Sequence, residues 1–411
     1  MQVPSYLEFF AGGGMVRAGL GGRWKCQFAN DFDPLKVKVY ADNWGDAEIV
    51  EGDIHKVEPQ DLGRRVDLAW ASFPCQDLST AGNGLGIGEA AGANRTRSGT
   101  FWAFIDLMKG LKANGRMPRI VVLENVVGLL TINGGEEFKT VISSLNRLGM
   151  RAGAVVVDAR HFVPQSRPRV FIIAIAKTST LAQELVREQP HPIWHPDTLV
   201  KAVGRLSPQC REQWIWFNLG PAPELNKTLN KIVKSKPIGV EWHTPAETKR
   251  LISMMSDAHK QKLAEAKRSG RRMVGTLSLR MRPLHGKTVQ RTEICFRGLA
   301  GCLRTPKGGG SRPRIIVVKG GSVRTRLLAS SEAAALMGLK ASYQLPDVYE
   351  YAFRVIGDGV AVPVVSFIRG KLLTPLLRSI KKPRGADAPK SKRVARGRAE
   401  KSRRGQIELR V

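Results

Sequence analysis

Leu68-Ala-Trp-Ala-Ser-Phe-Pro-Cys-Gln-Asp77 is the stretch on which the fold turns. An apolar run of this length reads as a buried strand, and Pro74 stops the ladder because it has no N–H to give. Cys75 therefore sits just past the C-terminal edge of a strand, which is where open α/β sheets place their chemistry. Taken alone, the thiol reads as readily as a small core hydrophobe.

The same pattern recurs upstream. Ser5-Tyr-Leu-Glu-Phe-Phe10 ends in Ala11-Gly-Gly-Gly14 and is followed by a helix-like Met15–Leu20. Strand, glycine turn and helix let backbone approach a ligand, although the glycines also suit a plain flexible turn. The spacing is neither GxGxxG nor GxxxxGK[ST], so phosphate cradling is the poorer reading. Trp24–Asn30 closes on Asp31-Phe32-Asp33. Asp31 suits a ribose diol and Phe32 an adenine face, with a helix N-cap before Leu35–Tyr40 as the alternative for either aspartate. Ala47–Glu51 leads to Asp53 and Ile54 at a third strand end, giving a pocket for an adenosine-like cofactor.

Downstream, Leu78–Thr100 is polar and glycine-rich and carries Arg95 and Arg97, the composition of a lid or binding loop. A helix follows at Phe101–Leu111. Arg119-Ile-Val-Val-Leu123 ends in Glu124-Asn125, and a glutamate closing an apolar strand needs a pocket or partners. After a helix near Glu136–Leu148 and a strand at Gly153–Val157 comes Gln165-Ser-Arg-Pro-Arg169, leading into the strand Val170–Ala176. In extended backbone Arg167 and Arg169 face the same side and call for an anion between them.

Composition narrows the partners. The 411 residues hold 66 Lys and Arg against 35 Asp and Glu, a formal charge of +31, which favours a polyanion as partner or substrate. Five widely spaced cysteines, without CxxC and without a secretory leader, point to a reducing, cytoplasmic setting and away from a disulfide framework or structural zinc. No uninterrupted apolar run reaches the roughly 18 residues of a membrane span. Lys381–Arg404 is basic and poor in large apolar residues, and is expected to be disordered.

These motifs, in this order, resemble the DNA cytosine C5-methyltransferases. Phe10-Ala-Gly-Gly-Gly14 matches the first motif of that family, Phe73-Pro-Cys-Gln76 its nucleophile motif, Glu124-Asn-Val126 its glutamate motif and Gln165–Arg169 its Gln-x-Arg-x-Arg motif. Arg326–Gly338 resembles the ninth motif, and Gly357–Pro363 the tenth, which returns to complete the cofactor pocket. Glu8 stands where many members have Asp, and Asp358 where many have Asn.

The resemblance implies an α/β S-adenosylmethionine-dependent methyltransferase fold. Its Rossmann-like mixed sheet would occupy residues 1–180, a smaller, mostly irregular or β target recognition domain residues 181–325, and a return to the catalytic domain residues 326–380. Cys75 would be the nucleophile, attacking C6 of cytosine so that C5 becomes an enamine carbon. Glu124 would serve N3 and the exocyclic amino group, carrying a proton favoured by a desolvated pocket. Arg167 and Arg169 would brace the substrate, and Asn125 would position Glu124 or the Pro74–Cys75 turn.

S-adenosyl-L-methionine would lie against Phe10, Ala11, Gly12 and Gly14, against Asp31, Phe32, Asp53 and Ile54, and against Pro74 and Val360. Gln76, Arg95, Arg97, Gln165 and Arg304 would meet the substrate, a cytosine flipped out of double-stranded DNA. The partners implied are duplex DNA and a separate cognate restriction endonuclease, with the enzyme monomeric and free of membrane. A tRNA cytosine methyltransferase and an inactive DNA-binding relative are the rival readings. In residues 181–325, Trp194, Trp214, Trp216 and Trp242 read as core, the basic runs Lys260–Arg272 and Arg312–Arg314 as phosphate contacts, and Lys307–Ser311 as a minor-groove element.

Overall fold

The computed structural model describes residues 3–74, 100–225, 227–284, 286–306 and 311–380. Its central element is a seven-stranded sheet built from β1 (Ser5–Phe9), β2 (Lys25–Asp31), β3 (Ile49–Glu51), β4 (Leu68–Ala71), β5 (Ile120–Val126), β6 (Met150–Asp158) and β7 (Pro168–Ala176), in the order β3-β2-β1-β4-β5-β7-β6. All pairings from β3 to β5 are parallel, whereas β7 runs antiparallel to both β5 and β6.

Apolar residues fill both faces of this sheet. Tyr6, Leu68, Trp70, Ile120, Val122, Phe171 and Ile173 belong to one core, and Leu7, Ala69, Ala71, Val121, Leu123 and Ile172 to the other. This alternation is the period-two pattern of a strand covered on both sides, and it explains why these strands read as unbroken apolar runs.

Helices α1 (Met15–Leu20) and α2 (Pro34–Trp44) cover the first face, and α3 (Thr100–Ala113) and α4 (Glu136–Arg147) the second. Asp33 caps α2, accepting from Leu35 N at 3.1 Å ahead of Pro34, so the N-cap reading holds for Asp33.

The segment after β7 divides differently from the expectation. Residues of β8 (Val186–Arg187), α5 (Asp197–Gly204), α6 (Pro208–Glu212), β9 (Trp216–Phe217) and α7 (Leu229–Ile232) pack into the two cores of the large sheet. Trp194 is fully buried there, Trp214 and Trp216 pack against the core, and Trp242 lies under the guanidinium groups of Arg324 and Arg326 at 4.1 and 4.9 Å.

A separate small core begins only near Leu251. It joins α8 (Pro245–Ser253) and α9 (Asp257–Arg268) to an antiparallel sheet of β10 (Met273–Leu284), β11 (Lys287–Cys295), β12 (Arg314–Lys319) and β13 (Ser322–Leu327), ordered β11-β10-β12-β13. Sequence pattern alone does not assign these apolar residues to one core or another.

The chain then returns through α10 (Ser330–Leu336), α11 (Tyr349–Asp358), α12 (Val362–Ile368) and α13 (Thr374–Ser379). Arg326 and Glu332, both wholly buried, form a bidentate pair at the start of this return, with nitrogen–oxygen distances of 2.6 and 2.8 Å. By length and composition Tyr349–Ser379 is apolar enough to cross a membrane, which a search for uninterrupted runs missed. In the fold it is broken at Gly359, whose backbone is extended, and α12 packs on α1 with Val365 against Gly19.

Candidate active site

The glycine turn after β1 is held from three directions. Gly12 N donates to Asp31 Oδ2 at 2.7 Å, and Ala11 N to Asn30 O at 2.9 Å, so the end of β2 fixes the turn. Gly13 O accepts from Tyr343 Oη at 2.7 Å and from Trp44 Nε1 at 3.3 Å. A Cβ on Gly13 would lie 2.3 Å from Tyr343 Oη, and one on Gly14 2.3 Å from Trp44 Nε1, so no larger residue fits either position. Phe10 takes φ 58°, a left-handed conformation that a bulky side chain adopts only under constraint. Tyr343 and Trp44 were not singled out by sequence, because neither lies in a recognisable motif.

At the second strand end, Asp31 is buried and accepts from Gly12 N and Asp33 N, which leaves one lone-pair direction on each oxygen. Burial raises its carboxyl above the usual range, against the pull of Lys36 and of the two backbone donors. Phe32 beside it is 75% exposed, an aromatic face that the fold leaves open. Asp53 caps the turn Ile54–Lys56, and hydrogen bonds from His55 hold its carboxyl below the usual range. Ile54 and Val360 are buried, and Pro74 is half-buried. An open aromatic face between carboxylates at adjacent strand ends, beside a turn without a phosphate-binding lysine, fits an adenosyl group.

The departure at Asp358 has a local reason. Its carboxylate accepts from Lys36 Nζ at 2.8 Å and from Thr305 Oγ1 at 3.1 Å, tying the tenth motif to α2. Glu8 is completely buried, with no hydrogen-bond partner on either carboxyl oxygen among the described residues. Desolvation pushes it up to about 8, only partly countered by Arg17.

The second half of the site lies at the ends of β4, β5 and β7. Glu124 Oε1 is 3.2 Å from Arg169 Nε, and both side chains are largely enclosed. Among the described residues nothing hydrogen-bonds Glu124 Oε2. Asn125 Nδ2 donates to Phe73 O at 3.1 Å, while its Oδ1 accepts from Val126 N at 2.8 Å. The amide thus fixes the chain two residues before Cys75 and right beside Glu124. Cys75, Gln76, Arg95 and Arg97 lie outside the described residues.

Two expected substrate contacts are internal instead. Arg167 is 2% exposed and donates to Leu303 O at 2.8 Å, Gly357 O at 2.7 Å and Gly359 O at 2.6 Å, as well as to Cys302 Sγ at 3.3 Å. Burial, reinforced by Arg169, lowers it to about 10, which leaves it a cation at neutral pH. Gln165 is fully buried, donating to Leu336 O at 2.9 Å and accepting from Leu303 N at 3.1 Å. Both side chains brace the returning C-terminal segment and neither reaches an open surface.

Arg304 is exposed between β11 and β12, and the main chain at Arg304–Thr305 packs on Gly357. Cys302, unnoticed in the sequence, sits among these arginines. Burial alone would raise its thiol, but Arg167, Arg169 and Arg304 outweigh burial and bring it below the usual range.

A glutamate–arginine pair and an asparagine that holds Phe73 O, on a mixed sheet whose seventh strand is antiparallel, fit a cytosine-directed methyltransferase. A profile of the C-5 cytosine-specific DNA methylases matches residues 5–374, and the chain belongs to that family. The type II methyltransferase M.BsuFI of Bacillus subtilis is 26% identical over 375 residues, spanning 91% of this chain and 73% of that protein. M.HaeII of Haemophilus aegyptius is 24% identical over 386 residues, spanning 93% and 96%. Among solved structures, a DNMT2 variant of Spodoptera frugiperda superposes with a TM-score of 0.55 at 16% identity, covering 91% of this chain and 99% of that one, which speaks for the fold alone.

Proposed function

We propose that this chain methylates C5 of a cytosine flipped out of a short target in double-stranded DNA, through a covalent bond between Cys75 and C6. The observation that carries the reading is the Glu124–Arg169 pair, set beside the Asn125–Phe73 clamp that leads into Cys75. When bound, S-adenosylmethionine supplies an electrophilic methyl group. Phe32 would stack on its adenine, Asp31 and Asp53 would accept from its hydroxyl and amino groups, and Phe10, Ala11, Gly12 and Gly14 would wall its tail with Ile54, Pro74 and Val360.

The Cys75 thiolate adds to C6, and the displaced electron pair accumulates across N3 and C5. Glu124, carrying a proton on Oε2, would donate it to N3 and so neutralise that charge, while Oε1, held by Arg169, would accept from the exocyclic amino group, which distinguishes cytosine from thymine. C5 then takes the methyl group. Water takes the C5 proton, the double bond re-forms as the sulfur leaves as thiolate, and N3 returns its proton to Glu124. The ring must be reached from its face, so the base has to leave the stack. Arg95 and Arg97, downstream of Cys75 in the sequence, would meet phosphate, with Gln76 on the substrate side.

The setting is the bacterial cytoplasm, with a separate endonuclease of the same target as the natural partner. Residues near 251–323 would supply target recognition.

Labelled methyl transfer onto duplex DNA, read at base resolution with tRNA alongside, tests the reading. Label on cytosine C5 within one short sequence is the expected result, and label confined to tRNA would overturn the DNA assignment. A duplex carrying 5-fluorocytosine at the target should trap a denaturation-resistant complex. The adduct persists because the fluorine cannot leave C5 as a proton does, and it should be absent with Cys75→Ser, which has no thiolate to add to C6.

A further inference from the structure

The antiparallel sheet has one part that its own packing does not require. β10 pairs with β12 only from Met273 to Leu277, whereas it pairs with β11 all the way to Leu284 opposite Lys287. Beyond Leu277 the hairpin leaves the sheet as a two-stranded ribbon. Its strand Arg280–Leu284 is exposed at every residue, a projection of about 16 Å at the rise of an extended chain. Met281 is 58% exposed and Leu284 38%, unusual for side chains with no neighbour to cover them.

Charge is sorted onto one face of this ribbon. Residues directly opposite share a face, so Arg280 with Arg291, Arg282 with Val289, and Leu284 with Lys287 point one way, while Met281 with Gln290 and Pro283 with Thr288 point the other. Arg282 is fixed by Glu293 at 2.6 Å. Arg280, Arg291 and Lys287 have no hydrogen bond or ion pair among the described residues. Down the same face lies a cleft of about 570 Å³ against α9, whose wall carries Lys262, Arg280 and Arg297 with His259 as well as the carboxylates of Glu265 and Glu293.

Charge and proline also protect an open strand edge from adding another strand. That need would be met more simply by a shorter hairpin.

We propose that the β10–β11 ribbon enters the major groove of duplex DNA, with Arg280 and Arg291 reading base edges and Lys287 contacting phosphate. The major groove admits a two-stranded ribbon, and an arginine with free donors matches the paired acceptors of guanine. This inference rests on the DNA reading of the active site and assigns the element that selects the sequence.

The test uses the full chain and a duplex library randomised around cytosine, scored by base-resolved methylation. Arg280→Ala and Arg291→Ala should each relax the demand for one G·C pair, lowering discrimination there by roughly tenfold or more. Lys287→Ala should weaken all sequences alike and reduce the salt dependence of binding. S-adenosylmethionine affinity should be unchanged in all three, since the ribbon stands clear of both large cores. An unaltered target set in both arginine variants overturns the proposal, as does a uniform loss of affinity without a change of preference, which would make the ribbon a phosphate clamp. Failure of the underlying reading is distinguishable, because the unsubstituted chain would then leave the whole library unmethylated.

Discussion

The two sheets use arginine in opposite ways. In the seven-stranded sheet Arg167 and Arg169 lie side by side and enclosed, one spent on main-chain carbonyls and the other on Glu124. In the four-stranded sheet Arg280 is exposed and Arg291 half-buried on one face of the ribbon, and neither has a hydrogen bond or ion pair among the described residues. A buried guanidinium has to be satisfied by the chain itself, so it becomes framework. An exposed one can wait for a partner and therefore carry recognition. Position relative to the core, more than residue type, decides the role.

The sharpest way to break this contrast is at the thiol. Cys75→Ser should bind duplex DNA yet lose single-turnover methyl transfer by at least ~10³-fold, because a hydroxyl is a far weaker nucleophile at neutral pH. Near-normal transfer would sink the covalent route. Glu124→Gln keeps the shape and removes the acid, and should slow the chemical step by roughly 10²-fold with base flipping retained, as read by 2-aminopurine fluorescence at the target.

Arg167→Met asks whether that arginine is framework. It leaves several buried carbonyls unpaired and should cost about 3 kcal/mol or more in denaturant unfolding. The folded fraction should keep substantial turnover, whereas a catalytic arginine would show the reverse.

Glu8 offers a test by pH. Its folded-state value is raised to about 8 from an ordinary 4.5, so between these values the folded chain keeps a proton that the unfolded chain has lost. Stability should therefore fall as pH rises through that window, by up to about 1.4 kcal/mol per unit. Below 4.5 both states are protonated, and above 8 both are ionised, so the dependence levels off at each end. Glu8→Gln should flatten the profile in urea titrations run across the window. The smallest effect should come from Tyr343→Phe, which removes one hydrogen bond to the glycine turn. A three- to tenfold loss of S-adenosylmethionine affinity by calorimetry is expected, in line with roughly 1 kcal/mol for one such bond.

Much of the large sheet was legible because strands buried on both faces announce themselves as apolar runs, and because Gly14, Asp31, Asp53, Pro74 and Glu124 interrupt those runs at their ends. The alternation of Arg167 and Arg169 was equally plain, but it told only that they share a side. Which of them faces an open site depends on the carbonyls of Leu303, Gly357 and Gly359, far along the chain. Gln165 was misread for the same reason, since its partners are Leu303 and Leu336. Glu332 and Arg326 form their pair wholly inside, where neither residue type signals burial on its own. The ribbon escaped notice because no strand was read between Met273 and Cys295, and only the shorter reach of β12 leaves the outer half of the hairpin alone.

The bond from Tyr343 to Gly13 spans 330 residues of sequence. At ribosomal speeds of about 5–20 residues per second, the glycine turn emerges roughly half a minute before the tyrosine that secures it. During that interval the early strands have to persist without their clasp. A nascent chain is thereby denied a finished cofactor pocket, and methylation of the DNA around it can begin only once translation has passed well beyond the small domain. Cut between the two sheets and supplied as two fragments, the enzyme should regain activity only when the fragments reassemble.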